Sequence, residues 1–253
     1  RPREARAAAR RANSSLRSQP EGDSGRWYCL RAFEFLACVQ ALEDSEDATQ
    51  LPSDSHTNQQ SMAAAKVVEN VLEKDADTLF RLRQIGLTRL YIGPESGDPL
   101  TLKRIAKGAS FEEHVEAADK AHAAGMEISV IALLGVGGVA RSREHAEATG
   151  HLVTAMNPEF FAALTTTIVD GTPLAKMATR ERFELPTVER MLEELKEMVA
   201  IAAPTNALFR TNHASNYLPL RGRLPHDRDR IIQTIDMALS GNLRLRPEWT
   251  RGL

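Results

Sequence analysis

Residues 128–134 read ISVIALL, and residues 135–138 read GVGG. A seven-residue run with a single polar side chain is a strand covered on both faces, the pattern of a parallel sheet with helices outside. The segments on either side fit that reading. Upstream, Ser110 and Glu113 stand at capping-box spacing. Phe111, Val115, Ala118 and Ala121 or His122 mark the buried face of the helix they open, and Gly125 ends it. Downstream, Ser142 opens a second helix with Ala146, Thr149, Val153 and Met156 inward, and Pro158 marks its end. Helix, strand and helix at this spacing form a βα crossover unit, which forces neighbouring strands to run parallel.

The same cycle extends both ways. Val68, Val71, Leu72, Leu79, Leu82 and Ile85 have helical spacing up to Gly86, and residues 88–92 (TRLYI) form a strand before the turn-rich Gly93 to Gly97. Residues 160–169 (FFAALTTTIV) are a third strand. Val188, Met191, Leu192, Leu195, Met198 and Val199 trace an amphipathic helix, and residues 207–211 (ALFRT) are a fourth strand. Ile231, Ile235 and Leu239 mark a last helix that stops at Gly241. The expectation is an α/β fold with parallel strands over residues 61–253, either an open doubly wound sheet or a complete or partial (β/α) barrel. No Gly-x-Gly-x-x-Gly follows the first strand, which counts against a dinucleotide fold, and GVGG lacks the lysine of a phosphate loop.

Residues 1–60 have a different character. Residues 27–39 (WYCLRAFEFLACV) are apolar enough for one helix, but Glu43 to Gln60 is too acidic and polar to order itself. The expectation is a poorly packed N-terminal segment. The sequence starts at Arg1, so a fragment, a processed form or an incomplete gene product is expected. Residues 1–17 are rich in Arg, Ala and Ser, a composition that resembles an organelle transit peptide; a disordered leader or mispredicted exon is the plainer alternative.

Charge narrows the function classes. The 32 Lys and Arg nearly cancel the 34 Asp and Glu, so no net field draws nucleic acid or anionic lipid. No run approaches the roughly 20 apolar residues of a membrane span. Two cysteines, Cys29 and Cys38, make no disulfide framework and fit a reducing compartment such as the cytoplasm. The expected partner is a small-molecule or unknown substrate.

In parallel α/β folds the chemistry gathers where strands end. Glu95, between Gly93 and Gly97, is either a carboxylate aimed into the mouth of the sheet or a solvated turn acid. Leu134 and Gly135 form a wall for a flat ring or simply the end of a strand core. Thr165 to Thr167 and Asp170 read as strand hydroxyls and a turn former or site acid. In the polar run Thr211 to Tyr217, His213 is either a general acid–base, and so the catalytic candidate, or part of a capping network.

These strand ends also carry a family resemblance. Residues 91–98 (YIGPESGD) and 102–108 (LKRIAKG) resemble the middle of a radical S-adenosylmethionine (SAM) domain, where Gly-Leu-Glu-Ser-Gly and Leu-Lys-x-Ile-x-Lys-Gly are usual. Residues 125–138 resemble the next strand and its glycine turn, and residues 169–174 (VDGTPL) the strand end after that. Residues 212–217 (NHASNY) and 246–249 (RPEW) resemble the tail of one branch of the superfamily. The resemblance runs from about Asp75 to Leu253. It implies a partial (β/α) TIM-type barrel with SAM bound across the strand ends. Glu95, Ser96 and Gly97 would lie at SAM's polar groups, and Leu134 and Gly135 beside the adenine. It also implies a 4Fe-4S cluster held by Cys-x-x-x-Cys-x-x-Cys, from which one electron cleaves SAM to a 5′-deoxyadenosyl radical.

Cys29 and Cys38 have the wrong spacing for that motif and lack a third partner, so no metal ligands are assigned in this chain. Pro94 for Leu and Asp170 for Pro are smaller departures. The leading expectation is a truncated or misannotated radical SAM protein without its own cluster ligands. The alternatives are a catalytically degenerate barrel serving as a binding or scaffold protein, and an aldolase-type barrel using Lys103 or His213.

Overall fold

In the computed structural model, residues 67–251 are described. The proposed helix at 27–39, the acidic stretch and both cysteines lie outside them. Contacts divide the described residues into two compact units, 67–92 with 116–128 and 93–115 with 129–251.

Five strands form one sheet: β1 (Arg89–Glu95), β2 (Glu127–Leu134), β3 (Phe160–Thr165), β4 (Ala207–Arg210) and β5 (Arg221–Leu224), in the order β1-β2-β3-β4-β5. A doubly wound sheet reverses its order at a switch point. This one advances strand by strand, as a partial (β/α) barrel does. β2 and β3 pair in parallel, with Ser129 opposite Phe160 and Leu134 opposite Thr165, and β3 and β4 are also parallel. β5 pairs antiparallel with β4, Ala207 opposite Leu224. It is a short added edge strand, and the expectation of parallel strands is corrected there.

The first unit holds a helical stretch at 67–73 and α1 (Ala76–Ile85). The helix expected from Val68 to Ile85 is interrupted because the Asp75 side chain accepts from the Thr78 amide at 2.7 Å and caps a new helix. Val68, Val71, Leu79, Leu82, Leu90 and Ile92 are buried. Arg83 reaches the Gly125 carbonyl at 2.8 Å, and Arg89 pairs with Glu127 at 2.7 Å.

The second unit contains α2 (Pro99–Arg104), α4 (Ser142–Met156), α5 (Pro173–Thr179), α6 (Val188–Ile201) and α7 (Arg228–Leu239); α3 (Phe111–Ala123) precedes β2. The α3 capping box forms, with Ser110 N donating to Glu113 Oε2 at 2.6 Å and Glu113 N to Ser110 Oγ at 3.2 Å. The buried face of α3 is His114, Ala117, Ala118 and Ala121; Ala118 and Ala121 are buried as expected, while Phe111 and Val115 are half-buried and His114 and Ala117 take the inward positions. α4 packs on α6, and α7 covers α6 and β5. Phe161 of β3 and Phe209 of β4 are fully buried with ring centroids 5.4 Å apart. Residues 166–169 leave the strand early, and Thr172 caps α5, a helix the hydrophobic pattern did not signal.

Candidate functional site

All six candidate residues fall in the second unit. β1 extends through Gly93 and Pro94 to Glu95; as the first strand in the order it tolerates a proline, which has no amide to donate. Glu95 adopts φ 64, and its carboxylate folds back over Gly93, where any Cβ would stand 2.5 Å from Oε1. Lys107 donates to that oxygen at 3.0 Å, with only 7% of its side chain exposed. Glu95 is the partner of Lys107 among the described residues, so two of the ammonium's three donors are unspent. This buried lysine comes from the turn after α2. Sequence reading passed over it and weighed Lys103 instead, which is exposed.

Ser96 and Gly97 turn inward, onto α4. Ser96 Oγ accepts from the Asp98 amide at 3.0 Å and meets His145 Nδ1 at 2.8 Å. Gly97 N donates to Thr149 Oγ1 at 3.0 Å, and a Cβ on Gly97 would stand 2.2 Å from the Ala148 carbonyl oxygen. The glycine is there so that the loop can touch the helix backbone. Asp98 caps α2 through Thr101 and forms a two-bond pair with Arg141, both bonds 2.7 Å. Burial pulls its carboxyl up, but Arg141 and Thr101 outweigh it and hold the pKa at about 2.

At the end of β2, Leu134 is buried and lines a small cavity with Thr165, Met191, Thr211, Asn216 and Leu218. The structure thus brings Leu134 together with the loop after β4; Glu95 and His213 do not line that cavity. Gly135 takes φ 83, and its amide donates to Glu194 Oε2 at 2.6 Å, behind the turn.

The polar run after β4 is largely a capping network. Asn216 Nδ2 donates to the carbonyls of Ala163 and Thr211, and its Oδ1 accepts from Thr165. The Ser215 amide donates to His213 Nδ1 at 3.1 Å, so that nitrogen is an acceptor and the neutral ring carries its proton on Nε2. Arg246 bonds the His213 carbonyl and Arg251 the Ser215 carbonyl, which ties the C-terminal segment to this loop. Asp170 is exposed in a turn. Thr166 and Thr167 follow β3 with buried hydroxyls that have no hydrogen-bond partner.

Residues 66–148 match the family model of the radical SAM superfamily. The matched segment covers 83 of the 253 residues. It contains Glu95, Lys107, Leu134 and Gly135. No curated protein matches the chain. Among solved structures, methylornithine synthase (PylB) has TM-score 0.41 and 18% identity over 71% of this chain and 50% of its own. The archaeal Methanocaldococcus infernus Elp3, lacking its N-terminal residues 1–46, has TM-score 0.46 and 14% identity over 84% and 60%. The chain therefore spans half to three-fifths of the length of these structures.

The superfamily implies SAM and a four-iron cluster. A cluster needs three thiolates, and the whole chain has two cysteines, so its residues do not fit the cluster. Among the described residues no group of His, Cys, Asp or Glu is placed to hold a metal. The residues fit SAM better. Glu95 offers a carboxylate and Lys107 an ammonium with unspent donors, a pairing that complements the amine and carboxylate of an amino acid. No helix among the described residues is long and apolar enough to cross a membrane.

Proposed function

We propose that residues 67–251 are the SAM-holding part of a radical SAM barrel whose cluster thiolates are not supplied by this chain. The observation that carries the reading is the part-buried Glu95–Lys107 pair at the end of β1, inside the segment that matches the superfamily. Glu95 would anchor SAM's amine, Lys107 its carboxylate, and Leu134 would back the adenine. In the superfamily, a bound cluster supplies the electron that cleaves SAM to a 5′-deoxyadenosyl radical. No such step is assigned to residues of this chain. His213 is the candidate nearest a small-molecule substrate, supported only by its position after β4. The experiment is calorimetry with SAM on the chain and on Glu95→Gln. The reading expects weak binding that falls about tenfold to a hundredfold in the variant, since a charge-assisted bond is worth roughly 1.5–3 kcal/mol. Absence of binding, or equal affinity in the two proteins, overturns it.

A second reading, a barrel retained as a binding or scaffold protein, is favoured by the inward bonding of Ser96, Gly97 and Gly135, whose polar groups are spent on α4 and α6. The same titration separates the two, because a scaffold has no requirement for Glu95 at a ligand.

A further inference from the structure

The glycine turn after β2 is held from behind by an acid that the sequence pattern hid. Glu194 lies on the buried face of α6 among Met191, Leu195 and Met198, where an apolar residue is expected. Its side chain is 1% exposed. One oxygen accepts from the Gly135 amide at 2.6 Å and the other from Ser142 Oγ at 2.7 Å, so a single carboxyl bonds the turn and the first residue of α4. His145 stands on the same α4, fully buried. Its Nδ1 is bonded to Ser96, while its Nε2 has no hydrogen-bond partner and lies 3.9 Å from Glu194 Oε2. The chain of groups Ser96, His145, Glu194, Gly135 therefore runs from the loop after β1 to the loop after β2 through the core.

We propose that Glu194 is a positioning residue, a proton-gated clasp that fixes the Gly135 turn from behind and, with His145, couples it to the Ser96 loop. An ionised Glu194 accepts two charge-assisted bonds. A protonated one offers Gly135 only a neutral oxygen and a bond about half as strong. A proton reaches it from a groove of about 450 Å³ between α4 and α6, lined by Ser142, Arg143, Arg190, Glu193, Glu194 and Glu197. The charges facing Glu194 are accounted for from each side. On α4, Arg143 is paired with Glu147; on α6, Arg190 is paired with Glu193; Lys196 is paired with Asp236 of α7; beyond Ser96, Asp98 is paired with Arg141. Of these, Arg190 alone acts on the carboxyl, favouring its charge weakly. Burial outweighs it and the two hydrogen bonds, which places the ionisation at about 7.

The inference rests on reading the β2 turn as a wall of the ligand site. Its test needs no ligand, so it fails or stands apart from SAM binding. The Gly135 amide is followed by NMR from pH 5 to 9, as chemical shift and as a protection factor corrected for intrinsic exchange. The clasp gives one titration step centred near 7, with protection rising roughly tenfold above it. In Glu194→Gln, which keeps the shape and an acceptor oxygen, the step vanishes. A Gly135 amide that does not titrate, or a step that persists in Glu194→Gln, overturns the proposal. Should Glu194→Gln fail to fold, Ser142→Ala decides: losing a bond to the ionised form moves the midpoint up, and an unmoved midpoint overturns the proposal.

Discussion

Asp98 is a buried acid kept ionised by a single guanidinium, and that sets the cost of removing the partner. Arg141→Met leaves the carboxylate with Thr101 alone. Breaking a buried pair costs about 3–5 kcal/mol; because Arg141 is partly exposed, about 2–3 kcal/mol is expected, measured by urea denaturation. Gly97→Ala is expected to be worse, since a Cβ 2.2 Å from a helix carbonyl displaces the backbone itself. The histidines give a pH prediction. Burial lowers the pKa of both His114 and His145 to about 4. The unfolded chain takes up protons that the folded chain refuses. Stability is therefore full above about 6.5 and is lost as pH falls toward 4, at about 3 kcal/mol for each ring. Glu194 acts oppositely: its raised pKa gives stability that is full below 4.5 and lost as pH rises through about 7. In His114→Gln the slope of unfolding free energy between pH 4 and 6.5 should fall by one proton's worth, about 1.4 kcal/mol per pH unit, and an unchanged slope would show that His114 is protonated in the folded state. At this scale the sequence showed which residues are polar at strand ends, but not which way they point. Ser96 and Gly97 find their partners 49 and 52 residues away, at separations that no local pattern encodes.

At the scale of elements, local chemistry was legible wherever it acts within one turn. The Ser110–Glu113 box and the inward face of α4 were readable because capping and helical periodicity are short-range. Ser110→Ala is expected to cost about 1 kcal/mol, read from the denaturation midpoint. Elements that depend on tertiary partners were not legible. β5 has only one buried residue of four, so it carries no apolar alternation, and it exists by pairing with β4. α5 is seven residues long and hangs on the Thr172 cap. The break before α1 turns on a single Asp75 side chain inside an unbroken apolar rhythm. Lys107 was missed because the turn following α2 has no periodicity to show that its ammonium is buried.

For the whole molecule, alternating strands and helices were enough to predict a parallel α/β sheet, and the strand order resolves the choice between open sheet and barrel that periodicity leaves open. The proposed site is only half a site in chemical terms: one part-buried acid–base pair, an apolar strand end, and two cysteines in the chain where a cluster needs three. The most direct test of that account is anaerobic reconstitution of the chain with iron and sulfide, followed by gel filtration, absorbance and EPR of the reduced sample. The account predicts a monomer peak free of stoichiometric iron and without a cubane signal. One four-iron cluster per monomer, surviving the column, would contradict it.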